Sequence, residues 1–242
     1  MHDVIIIPTY NERENIRLLI PKIFARVPKV FVLVVDDNSP DGTSDEVKKM
    51  MKKYPRLGLL PKEKKEGLGA AYKYALAHIA QDSSIKTIIT MDADGSHDPQ
   101  FLETMLYERE QYDLVIGSRY ISGGRTINWP LFRKFLSRSG NIYARYITGI
   151  SVYDLTSGFM AFNRAVLEKI NLNTIRPTGY SYQIEFKYAC IQAGVSYMEI
   201  PITFKEREFG QSKINSRIIF EGILTPLRLR FVAILNSLIK KK

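Results

Sequence analysis

Thr87-Ile-Ile-Thr-Met-Asp-Ala-Asp-Gly-Ser-His-Asp98 decides the architecture. It opens as a short apolar run suited to a buried parallel strand and closes as an acidic turn. The same arrangement recurs on both sides of it. Val4–Ile7 leads into Pro8-Thr-Tyr-Asn-Glu12, and Val30–Val35 leads into Asp36-Asp-Asn-Ser-Pro-Asp-Gly-Thr43. Leu114–Gly117 leads into Ser118-Arg119-Tyr120, and Leu57–Leu60 reads as a further strand. Helix-length amphipathic runs separate these strands. Ile16, Leu19, Ile20, Ile23, Phe24 and Val27 keep helical spacing, with Pro21 a kink or a boundary. Val47, Met50, Met51 and Tyr54 mark a second helix and Gly67–Ala80 a third. Asp98-Pro99 is a cap and first-turn pair opening a fourth, with Phe101, Leu102, Met105 and Leu106 on its buried face. The β-α-β-α order predicts an α/β fold, a mostly parallel sheet flanked by helices. Ligands of such sheets bind beyond the carboxyl ends of the strands, where the acidic turns lie.

Bulk composition fits one globular chain. Of 242 residues, 45% are apolar, enough to bury a core. Cys190 is the lone cysteine, which excludes an intramolecular disulfide and suits a reducing compartment. The net charge of +10 is concentrated in two segments. Arg119–Arg145 holds six basic residues and no acidic one, and Thr203–Lys242 holds nine basic against three acidic. Localised positive charge of this kind implies anionic partners at defined places. No nucleic-acid-binding motif is present, so nucleic acid is not an expected partner. No signal peptide and no apolar run long enough to cross a bilayer are expected.

Three acidic turns and one arginine therefore converge at one sheet edge. Tyr10 is placed to stack on a base, and Glu12 and Asp37 to accept hydrogen bonds from base or ribose. Asp92 and Asp94, one residue apart beyond a strand, point roughly the same way. Hard carboxylate ligands suit Mg²⁺ or Mn²⁺ held jointly with a diphosphate. The alternative is a solvated turn with Asp98 as a helix cap. His97 reads as a support behind the two carboxylates or as a helix cap, Cys190 as core, and Trp129 as packing or a lipid contact.

As an ordered set these motifs resemble family-2 glycosyltransferases, and within them the dolichol- or polyprenol-phosphate mannose synthases. The resemblance rests on Pro8-Thr-Tyr-Asn-Glu-Arg-Glu-Asn15, Val35-Asp-Asp-Asn-Ser-Pro-Asp-Gly-Thr43, Lys65-Glu-Gly-Leu-Gly-Ala-Ala-Tyr72, Met91-Asp-Ala-Asp-Gly-Ser-His97 and Gly117-Ser-Arg-Tyr120. It continues through Asn128-Trp to Arg133, Ser137-Arg138, Asp154-Leu-Thr-Ser-Gly-Phe159 and Phe204-Lys-Glu-Arg-Glu-Phe-Gly-Gln-Ser-Lys213. It implies a GT-A type, Rossmann-like catalytic domain over residues 1–215 and an inverting transfer of mannose from GDP-mannose to dolichyl or polyprenyl phosphate. A UDP-sugar donor, with UDP-glucose as the example, and a non-catalytic basic binding module remain as alternatives. The resemblance assigns Pro8, Tyr10, Glu12, Val35 and Asp37 to base and ribose, and Asp92, Ala93 and Asp94 to diphosphate and metal. It assigns Arg119, Arg207 and Lys213 to phosphates near the reacting centre, and Arg133 and Ser137 to the acceptor phosphate. Some relatives carry Gln where this chain has Ser96.

The basic segments fit that implied chemistry. A lipid monophosphate is already an anionic nucleophile, so it needs cations rather than a general base. Residues 216–242 read as an amphipathic, basic tail, with Leu224, Leu227, Phe231, Ile234, Leu235 and Leu238 near one face. Such a helix suits an anionic membrane surface, while packing on the domain's own core is the alternative. The expectation is a peripheral protein on the cytoplasmic face of a membrane, reaching its lipid directly or through a small membrane subunit.

Overall fold

The computed structural model describes residues 1–176, 179, 181–206 and 216–239, with backbone alone for 216–219 and 236–239. The chain alternates strand and helix: β1 (His2–Thr9), α1 (Arg13–Arg26), β2 (Phe31–Asp36), α2 (Thr43–Met51), β3 (Leu57–Pro61) and α3 (Leu68–Ile79). Next come β4 (Ile85–Thr90), α4 (Leu102–Arg109), β5 (Leu114–Ser118), β6 (Arg125–Ile127) and the long α5 (Leu131–Thr148). The chain continues through β7 (Met160–Asn163), α6 (Val166–Lys169), α7 (Ser181–Gln192), β8 (Tyr197–Pro201), β9 (Thr203–Lys205) and α8 (Ser216–Ile239). Among the described residues, seven strands form the main sheet in the order β3-β2-β1-β4-β7-β5-β8, and β6 pairs with β9 in a small second sheet. All main-sheet pairs are parallel except those of β7, which runs antiparallel between β4 and β5. This is the expected mostly parallel α/β sheet.

The period-two alternation of β1 shows why the sheet is buried on both faces. Val4 and Ile6 pack into one apolar layer with Leu33, Val35 and the α3 and α7 side chains Tyr72, Leu76 and Phe186. Ile5 and Ile7 pack into the opposite layer with Ile16, Ile20, Val47 and Met105. Pro21 is accommodated inside α1 and does not end it. Asp98 caps the turn before α4 by accepting a hydrogen bond from the Gln100 N–H at 3.0 Å. Cys190 is buried in the core.

α8 packs against α5 and α7. The Tyr143 hydroxyl donates to the Ile223 carbonyl at 2.9 Å, and Arg228 pairs with the buried Glu185 at 2.5 Å. Phe220, Ile223, Leu224, Leu227, Phe231, Ile234 and Leu235 are left facing outward, so α8 is both packed on the domain and apolar outside. The described part of Leu238 is backbone only. No helix among the described residues is long and apolar enough to cross a membrane.

Candidate active site

The strand ends assemble two adjoining pockets that share Leu68, Asp92 and Asp94. The first is lined by Pro8, Thr9, Tyr10, Glu12, Asp37, Lys65, Gly67 and Ala93 besides the shared residues. The second takes in Arg119, Trp129, Arg133, Ser137, Thr156, Gly158, Ser181, Gln183 and Phe204. The three acidic turns and the arginine thus gather at one sheet edge. Val35 does not reach either wall; its side chain lies in the core. Because β2 pairs with β1 at Pro8, only the backbone of Val35 approaches the edge, and its carbonyl accepts a 3.4 Å hydrogen bond from Thr9. Arg207 and Lys213 lie outside the described residues.

In the first pocket the turns brace one another. The Glu12 N–H donates to Thr43 Oγ1 at 3.1 Å, and the Glu12 carboxylate accepts from Asn15 at 2.6 Å. Asp37 is more heavily used than the sequence reading expected. Its carboxylate accepts from Lys62 Nζ at 2.7 Å, from the Glu66 N–H at 3.1 Å and from the Gly67 N–H at 2.6 Å. Gly67 sits at φ 95°, a conformation side-chain-bearing residues avoid, and Asp37 pins that turn at the entry to α3. Lys65 holds its ammonium 3.6 Å from the centre of the Tyr10 ring, which puts a cation over the ring face where a base would stack.

The shared Asp-Ala-Asp turn is fixed from behind. Asp94 Oδ1 accepts from the Ser96 N–H at 3.1 Å and from Ser96 Oγ at 2.6 Å. The Asp92 N–H donates to His97 Nδ1 at 3.0 Å. His97 is fully buried between Phe159 and Phe204. Burial pulls its pKa below the usual value, with Arg119 acting in the same direction and Asp92 and Asp94 opposing. The neutral ring accepts at Nδ1, so its proton sits on Nε2, 3.8 Å from Asp92 Oδ2. His97 therefore supports the turn. The nearby Tyr72 hydroxyl is held neutral by burial and by the Asp92 charge.

The donor set suits a substrate-bridged divalent cation. No group of three or more His, Cys, Asp or Glu side chains among the described residues is placed to hold a metal. Two aspartates on one turn provide part of an oxygen shell, as expected for an ion that takes its other ligands from substrate phosphates and water.

The second pocket carries the positive charge. Arg119 makes two side-chain hydrogen bonds of 2.7 Å to the fully buried Asp154 and a third of 2.7 Å to Thr156. Its guanidinium carbon lies 5.5 Å from the Trp129 ring centre, and that of Arg133 lies 4.1 Å away. Arg133 also pairs with Glu206 at 2.6 Å, and Ser137 accepts a 2.6 Å hydrogen bond from the Tyr120 hydroxyl. Trp129 is buried, so it works as the apolar plate between the two arginines. The sequence reading missed Ser181, Gln183 and the functional weight of Asp154. Asp154 stood in a quoted motif, but nothing local paired it with Arg119, 35 positions earlier.

The chain is 42% identical over 222 residues to the polyprenol monophosphomannose synthase of Mycolicibacterium smegmatis, covering 91% of this chain and 83% of that protein. It is 39% identical over 228 residues to the undecaprenyl-phosphate mannosyltransferase of Micrococcus luteus, covering 94% and 93%. Its fold matches that of a Mycobacterium tuberculosis glucosyl-3-phosphoglycerate synthase in complex with Mn²⁺, UDP and phosphoglyceric acid. That match has a TM-score of 0.68 at 16% identity, over 95% of this chain and 78% of that one. It also matches a Pyrobaculum calidifontis mannosyltransferase in complex with GDP-Man and Mn²⁺, with a TM-score of 0.56 at 17% identity, over 98% and 74%. The model of glycosyl transferase family 2 covers residues 4–171, from the first strand through the whole Asp-Ala-Asp turn and the Arg119–Asp154 pair. With the level of identity to the two curated relatives, this makes the chain a member of glycosyl transferase family 2.

Proposed function

We propose that the chain transfers mannose from GDP-mannose to a polyprenyl or dolichyl phosphate, releasing GDP with inversion at the anomeric carbon. The observation that carries this reading is that the two pockets meet at Asp92 and Asp94. One pocket holds Tyr10, Glu12 and Asp37, suited to a nucleotide, and the other holds Arg119, Arg133 and Ser137, suited to a phosphate. The names of the two curated relatives point to a lipid-phosphate acceptor and to mannose.

Asp92 and Asp94 would hold Mg²⁺ or Mn²⁺ against the donor diphosphate. When bound, that ion supplies positive charge that offsets the negative charge developing on the leaving diphosphate. Arg119 and Arg133 place the acceptor phosphate, and Ser137 offers a hydroxyl beside them. A phosphate oxygen attacks the anomeric carbon on the face opposite the diphosphate. The new carbon–oxygen bond forms as the old one breaks, and its electron pair leaves with GDP. No proton need be removed from the nucleophile, which agrees with a pocket that sets Arg119 and Arg133 on its wall. Arg207 and Lys213 are proposed as further phosphate contacts.

The acceptor's hydrocarbon chain has a route out. Gly140 of α5 and Gly222 of α8 both line the phosphate pocket. The outer faces of these helices carry Leu131, Phe132 and Phe135, exposed by 72–83%, together with Phe220, Leu224, Leu227 and Phe231. Exposed apolar side chains on two helices that pack together, beside basic residues, suit a membrane. On this reading the chain sits peripherally on the cytoplasmic leaflet, with residues 216–242 as the membrane-proximal tail, directly or with a small membrane subunit.

The test is transfer of radiolabel from GDP-[¹⁴C]mannose into solvent-extractable prenyl phosphate, run with and without Mn²⁺ and against UDP-glucose. Metal-dependent labelling from GDP-mannose alone is expected. Labelling only from the UDP-sugar would move the donor assignment, and no glycolipid from either would remove the proposal.

A further inference from the structure

Several buried polar atoms lack a partner among the described residues, but Gln183 is the one side chain with two of them. It is 1% exposed, and among the described residues neither its amide oxygen nor its amide nitrogen has a hydrogen-bond partner. Two positions earlier, Ser181 is equally buried and its hydroxyl is also without a partner among the described residues. Buried polar groups are nearly always paired, and an orphan is costly. Both residues belong to the first turn of α7, and both line the phosphate pocket rather than the core.

Gly158 locates them within that pocket. A Cβ added at Gly158 would lie 3.4 Å from Asp92 Oδ1 and 3.4 Å from Gln183 Nε2. The two side chains therefore flank the same small gap, with no more than twice that distance between them. A glycosyl group in transit must occupy such a position. Its anomeric carbon has the leaving diphosphate on one side and the attacking oxygen on the other. In this chain those sides are marked by Asp92 and Asp94, and by Arg119, Arg133 and Ser137.

Resting on the reaction proposed above, we infer that Gln183 and Ser181 form the subsite that reads the hydroxyl groups of the donor hexose. A primary amide offers one acceptor and two N–H donors, and a serine hydroxyl offers both roles. Adjacent ring hydroxyls, each able to donate and accept, are the matching chemistry. Gly158 carries no side chain to separate Asp92 from Gln183, so both face the same part of the pocket. The nucleotide contacts lie in the other pocket, so this subsite discriminates sugars and leaves recognition of the nucleotide alone. A site built around buried polar groups also rejects analogues that lack the matching hydroxyl, because those groups then stay unpaired.

The full-length protein with Mn²⁺ is titrated by calorimetry with GDP, GDP-mannose and deoxy analogues of the sugar. Gln183→Met, which keeps the volume and removes the amide, should leave the Kd for GDP within about twofold and weaken GDP-mannose by about tenfold or more. One deoxy analogue should bind the wild type and this variant equally. Gly158→Ala is the second variant. Its added methyl makes only ordinary contacts and its backbone is not in the left-handed region, so the fold should survive while binding of the sugar falls and binding of GDP does not. An unchanged ratio of GDP-mannose to GDP affinity in both variants would overturn the subsite while leaving the transfer reaction standing. A wild type that prefers a UDP-sugar would move the donor assignment instead, and the same ratio measured with that pair then judges the subsite. A wild type that distinguishes no nucleotide sugar from its bare diphosphate overturns the subsite, while the radiolabel assay judges the transfer reaction separately.

Discussion

Arg119 and Asp154 meet through two parallel hydrogen bonds of 2.7 Å, and the Arg119 N–H adds a third to the same carboxylate at 2.9 Å. The carboxylate is wholly buried. Burial alone would raise its pKa, but the Arg119 charge and hydrogen bonds outweigh it and hold the pKa below the usual carboxylate value. The pair aims the guanidinium across Trp129 into the phosphate pocket. Asp154→Asn leaves a buried guanidinium short of its counter-charge, which should cost about 3–5 kcal/mol of stability. A displaced Arg119 should lower transfer by about 10²-fold. Because the folded pKa is depressed, the contribution of Asp154 is present above the ordinary carboxylate range and is lost as pH falls through the lowered value. Chemical denaturation between neutral and acidic pH should therefore show a shallower acid loss in the variant than in the wild type.

Asp94→Asn separates chemistry from folding. The asparagine can still accept from Ser96 through its carbonyl oxygen, so the thermal midpoint should move by no more than about 1 kcal/mol equivalent. Transfer should fall by about 10²–10³-fold, because charge that offsets the leaving diphosphate is lost. Single-turnover rates with GDP-mannose and Mn²⁺ measure this, and a variant as active as the wild type would remove Asp94 from the reaction.

Asp37→Asn should act on the nucleotide pocket through the Gly67 turn. An asparagine keeps one acceptor oxygen, so either the Gly67 N–H or Lys62 Nζ is left facing an amide NH₂, and Lys62 loses the buried charge that raises its pKa against the opposing effect of burial. A cost of about 1–3 kcal/mol is expected, with weaker GDP binding and a normal response to acceptor concentration. Calorimetric titration of GDP provides the check.

Lys187 is fully buried, and burial brings its pKa down from 10.5 to about 7. It donates to the carbonyls of Leu155 and Ser157 at 3.1 and 2.6 Å, behind the wall that carries Thr156 and Gly158. Between pH 7 and 10.5 the unfolded chain binds the proton that the folded chain has released, so stability rises with pH through that window. Lys187→Met removes this term. Urea unfolding of both proteins at several pH values should show the wild type gaining on the variant as pH increases above 7, and parallel curves would argue against a titrating lysine.

Replacing Leu131, Phe132 and Phe135 with serine should leave nucleotide affinity and the thermal midpoint nearly unchanged, since these side chains are exposed. Flotation with anionic vesicles should fall, as should transfer to a long-chain prenyl phosphate, while transfer to a short soluble one persists. Equal flotation of variant and wild type would place the membrane contact elsewhere.

Local pattern carried a large part of the architecture. The strands around Val4–Ile7, Val30–Val35 and Leu114–Gly117, the turn at Asp92–Asp98 and the helix opened by Asp98-Pro99 are all read from neighbouring residues, because side-chain alternation and capping are short-range effects; the observed strands run one or two residues further, to Thr9, Asp36 and Ser118. β7 was not legible. Met160–Asn163 joins the sheet antiparallel between β4 and β5, and nothing in four residues announces that direction. The tail was half legible, since its outward apolar face follows from spacing but its docking on α5 and α7 does not.

Asp37, Asp92 and Asp154 show where the division falls. In sequence each is an acidic residue after or near a strand, and its charge and rough location are settled by the chain order alone. Their tasks differ because folding brings different partners to them. Asp37 meets Lys62 and two backbone amides, Asp154 meets Arg119, and Asp92 is held by His97 at a wall shared by two pockets. A carboxylate's chemistry depends on which donors already occupy its oxygens and how much water reaches it, and for Asp37 and Asp154 both are set by segments far away along the chain.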